Sequence, residues 1–175
     1  TLQLDQLRRR NIKSAGIKMK VAIVHDYLTK IGGAEKVLQI LHGIYPNAPI
    51  YTLIYDEKGT KGQFAKGYDI RPSRLQRNPK FIRNRARLLL SRYPKVIEEF
   101  DFSEFDVVIS SSNSFAHGVV TQPKTLHITY CYSPMRYAWD WTHKYLEENN
   151  IGMGIVGLYV RSIISKIRIW DFHAS

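Results

Sequence analysis

Residues 20–24 (KVAIV) form an apolar run with almost no polar interruption, the pattern of a strand covered on both faces. From residue 34 to 44 the spacing changes. Val37, Leu38, Leu41 and Ile44 recur at helical intervals, and YPNAP (45–49) closes that helix. Residues 50–56 (IYTLIYD), rich in β-branched and aromatic side chains, predict a second strand. A loop-like stretch (57–67) and a short extended piece (69–73) follow. After Pro79, Ile82, Ala86 and Leu89 share one helical face, with Lys80, Arg83 and Arg87 on another; residues 93–102 add a further turn or two. Residues 105–112 and 125–133 read as strands, and residues 136–149 as a helix. After glycines 152, 154 and 157, the positions Val156, Val160, Ile163, Ile167 and Trp170 predict an amphipathic helix facing a core.

Strands alternating with helices predict an α/β fold: a Rossmann-like, doubly wound, mostly parallel sheet with helices on both faces. Ligands in such sheets bind beyond the carboxyl ends of the strands. The loops 25–33, 56–67, 110–118 and 131–140 are therefore the ones to inspect.

Composition refines this picture. A chain of 175 residues with 44 % hydrophobic and 12 % aromatic content suits one packed domain. Residues 1–18 differ from the rest. They carry Arg8, Arg9, Arg10, Lys13 and Lys18 against Asp5 alone, and are expected to be a flexible basic extension before a domain of residues 19–175. The net charge of +11 points to anionic partners without choosing among them. The single cysteine, Cys131, excludes an internal disulfide and a cysteine-based zinc site. It is expected to be a small buried side chain in a reducing, cytoplasmic setting. No apolar run reaches the ~18–20 residues of a membrane span; the longest, residues 151–160, is ended by Arg161.

Gly32 and Gly33 stand at the mouth of the first helix, where backbone amides could approach a phosphate or simply make a turn. No G-x-G-x-x-G fingerprint is present. In SSSNSFAHG (110–118), small polar residues after a strand could line a cleft, with His117 available to a substrate hydroxyl or to developing charge. In CYSPMRYAWDW (131–141), Arg136 suits a phosphate or carboxylate. Tyr137, Trp139 and Trp141 offer flat faces to a sugar ring or lipid, and Asp140 could pair with Arg136. Residues 71–92 hold eight Lys or Arg and no acid, which fits an anionic lipid surface or nucleic acid. No hydrolase triad, H-E-x-x-H, P-loop or metal-spaced acid cluster occurs.

The segments MKVAIVHDYLTKIGGAEKVLQIL, APIYTLIYD, DIRPSRLQR, FDVVISSSNSFAHGV and YCYSPMRYAWD, in this order and spacing, resemble the N-terminal half of glycosyltransferase family four. The resemblance spans about residues 19–175. It implies one half of a GT-B fold, a retaining hexosyltransferase fed by a nucleotide sugar, with no cofactor and no metal, acting in cell-surface polysaccharide synthesis. It implies that Gly32 and Gly33 lie near the donor diphosphate and His117 near the reacting sugar as the catalytic candidate. Asp26, Ser111, Ser112, Asn113, Arg136 and Asp140 fall on the acceptor side, for a saccharide or polyprenyl-diphosphate-linked acceptor. Arg74, Arg77, Lys80, Arg83 and Arg87 would face an anionic membrane surface on its inner side. The family's nucleotide-sugar domain is expected to lie outside these residues, so residues 1–175 alone are not expected to transfer sugar. One departure stands out: the subgroup's C-H-[ST]-P has Tyr132 in place of the histidine. The alternatives from other classes are a non-catalytic saccharide- or anion-binding module and, with less support, a basic nucleic-acid-binding domain.

Overall fold

The structure, a computed structural model, describes residues 19–83, 86–148, 151 and 154–175, with residues 86–88 and 145 described by their backbone alone. The extension at 1–18 lies outside the described residues. Five strands form one all-parallel sheet in the order β3-β2-β1-β4-β5: β1 (Val21–Leu28), β2 (Ile50–Tyr55), β3 (Ile70–Pro72), β4 (Val107–Ser112) and β5 (Leu126–Cys131). The helices are α1 (Gly33–Ile44), α2 (Lys80–Arg83), α3 (Tyr93–Glu98), α4 (Thr142–Glu148) and α5 (Ile155–Ala174). Short 3₁₀ turns lie at Arg74–Arg77, Ala86–Arg92 and Ala116–Gly118. The chain is thus an α/β domain with a Rossmann-like sheet. Its strand order reverses between β1 and β4, which opens the crevice where such sheets place ligands.

The sheet buries apolar side chains on both faces, as parallel sheets do. On one face Ile23, Leu28 and Ile50 pack with Leu38 of α1 and with Phe64. On the other, Ala22, Val24, Leu53 and Val108 pack with Tyr93, Val96, Phe115, Ile164 and Ile167. Strand β5 is an exception. It forms the sheet edge, and Leu126, Ile128 and Tyr130 are exposed. Among the described residues, no helix is long and apolar enough to cross a membrane.

Several local expectations change. Strand β1 continues four residues past Val24, so His25 and Asp26 lie in the strand rather than in the loop after it. The helix expected from residue 136 begins at Thr142. The Trp141 amide donates to the Arg136 carbonyl (2.7 Å), five residues back, and the Thr142 hydroxyl bonds back to the Tyr137 and Ala138 carbonyls (3.1 and 3.0 Å). Residues 135–141 turn instead, with the Ala138 and Trp139 amides both donating to the Met135 carbonyl. The long helix expected after Pro79 is four residues of α2 and a separate 3₁₀ turn. The tighter 3₁₀ winding brings Leu89 and Leu90 inward ahead of Tyr93, all three buried. Cys131 is exposed rather than buried, because it ends the uncovered edge strand.

Helix α5 returns across the turn that follows β4. Ile164, Ile167 and Asp171 face inward, and Trp170 packs on Phe115 and His117 with ring centroids 5.5 and 5.6 Å away. This docking requires a glycine at 118: a Cβ there would lie 2.2 Å from Trp170 Cζ2 and 2.5 Å from its Cη2. Gly118→Ala is expected to push Trp170 out of its seat and to lower unfolding stability by about 2–3 kcal/mol. Denaturant titration with Trp fluorescence checks both effects; an unchanged midpoint would mean that α5 docks without this contact.

Candidate functional site

A cleft of about 550 Å³ opens at the carboxyl ends of β1, β2 and β4. Its floor is His25, Asp26 and Tyr27. Its walls include Lys30, Glu35, Asp56, Arg83, Asn113, Ser114, Arg136 and Tyr137. It coincides with the strand-order reversal, where the loops after β1 and β4 diverge to opposite sides.

Asp26 organises this floor. Its carboxylate is buried and accepts four backbone amides from the turn after β4: Asn113 (2.5 Å) and Ser114 (2.9 Å) on Oδ2, Phe115 (2.7 Å) and Ala116 (2.6 Å) on Oδ1. Successive amides of one turn form an anion-binding concavity, and here a side chain of the same chain fills it. The role expected on the acceptor side is therefore indirect: Asp26 fixes the backbone of Asn113 and Ser114 at the cleft wall, with its oxygens turned to amides.

A second network lies on the other sheet face. The Ala34 carbonyl can only accept, so Tyr132 Oη–H donates to it (3.1 Å). Ser111 Oγ–H then donates to Tyr132 Oη (2.9 Å), and His25 Nδ1–H donates to Ser111 Oγ (2.9 Å). These directions assign the His25 tautomer and leave Nε2 3.6 Å from Glu35 Oε1, an ion pair whenever the ring carries its second proton. Burial raises the Tyr132 phenol, so it keeps the proton that it donates. Glu35 also accepts the Gly32 amide through Oε2 (2.7 Å), the Glu half of a capping box; Gly32 has no side chain to supply the other half. Burial pushes the Glu35 carboxyl up, but the neighbouring His25 ring and the backbone amides outweigh it, and the net direction is below the ordinary value of 4.5.

The glycine pair therefore has a local structural role. Gly32 is the N-cap with an extended backbone, and its amide is committed to Glu35; Gly33 is exposed and opens α1. His117 stands apart from the cleft lining. Its Nδ1 meets Ser112 Oγ (3.1 Å), its Nε2 lies 3.2 Å from Asp171 Oδ1, and Trp170 covers the ring. Trp139 Nε1–H donates to the other Asp171 oxygen (2.7 Å). The three consecutive serines of β4, all buried, each anchor something different: Ser110 binds the Ala116 carbonyl and His127, Ser111 the His25 relay, and Ser112 the His117 turn. Burial, and then the nearby His117, lowers the His127 pKa.

The cleft's charges are unevenly matched. Asp26 is held by four amides, Glu35 by the Gly32 amide and His25, and Asp56 Oδ1 accepts the Lys58 amide. The cations have no such partners among the described residues. Lys30 and Arg136 are exposed and form no ion pair, and Arg136 instead lies over the Trp141 ring (4.9 Å) rather than pairing with Asp140. Arg83 reaches the Tyr55 carbonyl with Nη1 (3.4 Å), while its buried Nε makes no hydrogen bond. Arg83 thus belongs to the cleft and not to the outer basic surface where Arg74, Arg77 and Lys80 sit; the side chain of Arg87 lies outside the description. Asp140 is exposed and does not line the cleft.

The cleft lies at strand ends that the sequence marks for inspection, but the sequence does not bring Lys30, Glu35 and Tyr132 together as one neighbourhood. The only signal was Glu35 three residues after Gly32, the spacing of a capping box. Among the described residues, no group of three His, Cys, Asp or Glu side chains could hold a metal ion.

The chain matches no family model, no curated protein and no solved structure.

Two outcomes follow from these networks. Asp26→Asn replaces two acceptor lone pairs with N–H donors facing backbone amides, and is expected to lower stability by about 2–4 kcal/mol. Equilibrium unfolding measures it, and parity with the parent would mean that the turn finds other acceptors. For Glu35, a lowered folded-state pKa means that its stabilising contribution is present above pH 4.5 and is lost as pH falls through the folded value. The parent should lose more stability than Glu35→Gln between about pH 5 and pH 3; parallel curves would show that the carboxylate is not the sensitive group.

Proposed function

We propose that this chain is the acceptor-side domain of a retaining glycosyltransferase, with the cleft holding a phosphate-bearing or lipid-linked saccharide. The carrying observation is the charge arrangement at the strand-order reversal. The acidic groups of the cleft are engaged by the protein's own amides and His25, while among the described residues Lys30, Arg83 and Arg136 have no ion pair and Arg83 Nε has no acceptor. Such a cleft favours a ligand with anionic oxygens. Asn113 and Ser114, positioned by Asp26, offer polar side chains for sugar hydroxyls, and Tyr137 adds an aromatic wall. The resemblance of the quoted segments to glycosyltransferase family four supplies the reaction class.

In this reading the domain binds and orients the acceptor. The nucleotide sugar is held mainly by a partner domain, on the cytoplasmic side of a membrane. Transfer with retention needs no protein base if the departing phosphate takes the acceptor proton, which accords with a cleft that has no triad. A non-catalytic anion-binding module is favoured by one observation. The Gly32 amide, which the resemblance aims at the donor diphosphate, is occupied by Glu35.

The test is calorimetric binding of a polyprenyl-diphosphate-linked saccharide, next to inorganic pyrophosphate and the sugar alone. Arg136→Ala is expected to weaken binding of the lipid-linked saccharide on the order of tenfold or more. His117→Ala, outside the cleft, is expected to leave it unchanged. Binding that follows His117 rather than Arg136 would overturn the assignment of the cleft. Tight pyrophosphate binding indifferent to the sugar would favour the binding module.

A further inference from the structure

A second recess, of about 490 Å³, lies on the basic face and shares no lining residue with the cleft. Two segments distant in sequence build it: the 3₁₀ turn Arg74–Arg77 that follows β3, and the end of the turn Ala86–Arg92 running into α3. Arg74, Arg77, Arg92 and Lys95 all line it, with Asn78 and Ser91. Arg74 is already paired, its guanidinium held by both oxygens of Glu99 (2.5 and 2.9 Å). Arg77, Arg92 and Lys95 form no ion pair among the described residues.

Exposed cations spread over a helix face are ordinarily just solvated. These differ in their convergence. Three unpaired charges share one concavity, where they repel one another and where a bound anion would relieve all three at once. The recess is within the size range of small-ligand sites, roughly 300–1,000 Å³. Its fixed parts suit a permanent site: Asn78 Nδ2–H donates to the Leu75 carbonyl (2.9 Å), and Leu75 and Ser73 beneath it are buried. Two guanidinium forks, an ammonium and a hydroxyl form the donor set for a tetrahedral oxyanion. A nucleic-acid surface would instead string its cations along a groove-length stripe.

We propose that this recess is a phosphate-binding site, separate from the cleft, that takes a phosphate monoester or diphosphate group through Arg77, Arg92 and Lys95. The group could belong to a soluble phosphorylated compound or to a lipid headgroup, and both present the same oxygens. The assignment does not depend on the function proposed for the cleft.

The experiment is NMR titration of the whole chain with inorganic pyrophosphate, following the amides of residues 74–78 and 91–95. A parallel series uses phosphatidylcholine vesicles with and without phosphatidic acid. The variants are Arg77→Ala/Arg92→Ala, Arg136→Ala, and Lys36→Ala/Lys124→Ala, the last removing two exposed charges elsewhere. Saturable shifts at these amides in the parent, kept in Arg136→Ala and in the lysine control but weakened on the order of tenfold or more in Arg77→Ala/Arg92→Ala, support the site with a soluble ligand. The same dependence seen only with phosphatidic acid vesicles supports it with a lipid headgroup. No response in either series overturns it, as does equal weakening in the lysine control, which would reduce the effect to net charge. In a third series with duplex DNA, a response of these amides to the duplex alone would overturn it in favour of a nucleic-acid surface.

Discussion

Four amides converging on the Asp26 carboxylate are the constraint on which the rest of this molecule depends. Each contact joins β1 to residues 87–90 positions later, so the turn after β4 takes its shape from a strand on the far side of the order reversal. That turn carries Phe115 into the core and sets the Ala116–Gly118 segment, against which Trp170 and the last helix are seated. Without the carboxylate, four buried or half-buried N–H groups would face each other without an acceptor, and the cleft wall and the seat of α5 would both lose definition.

The same residue explains the electrostatic character of the cleft. A Rossmann-like sheet ordinarily presents amides at its carboxyl edge to a bound anion. Here the protein answers two sets of amides itself, Asp26 at the turn after β4 and Glu35 at the start of α1. Under the function proposed above, recognition of an anionic ligand would fall to side chains, Arg83 and Arg136 above all. Side-chain donors on a rim are more adaptable than a fixed nest, and they bring the strong salt dependence of exposed charge.

Much of the architecture was legible in the sequence, because long apolar runs and helical spacing are read directly from it: the strands, α1, α5 and the carboxyl-edge location of the cleft. What escaped depended on contacts between distant residues. That Asp26 serves a turn ninety positions away, that Tyr132 completes a relay to His25, and that Arg83 turns inward while its basic neighbours face out are properties of the assembled sheet. The helix expected at residue 136 gives way to turns in which the Trp141 amide bonds the Arg136 carbonyl, five positions back instead of four. Cys131 was misjudged because a strand's edge position is not written in its own residues. For His117 the motif gave no sign of the return of α5, which decides what covers the ring and is set by residues fifty positions on.

Strand β5 has a consequence for how the cleft moves. It is hydrogen-bonded to β4 on one side, yet five of its six side chains are exposed, so it has backbone pairing with little burial to reinforce it. Local opening free energies follow burial. Amide protons of β1, β2 and β4 should therefore exchange on the slow scale of global unfolding, and those of β5 through easier, partial openings. Residues 131–137 hang from that strand and carry Arg136, with the Tyr132 phenol tying them to Ser111 and to the Ala34 carbonyl. The cleft accordingly has one stiff side and one compliant side, and the compliant side holds the arginine that a ligand would meet first.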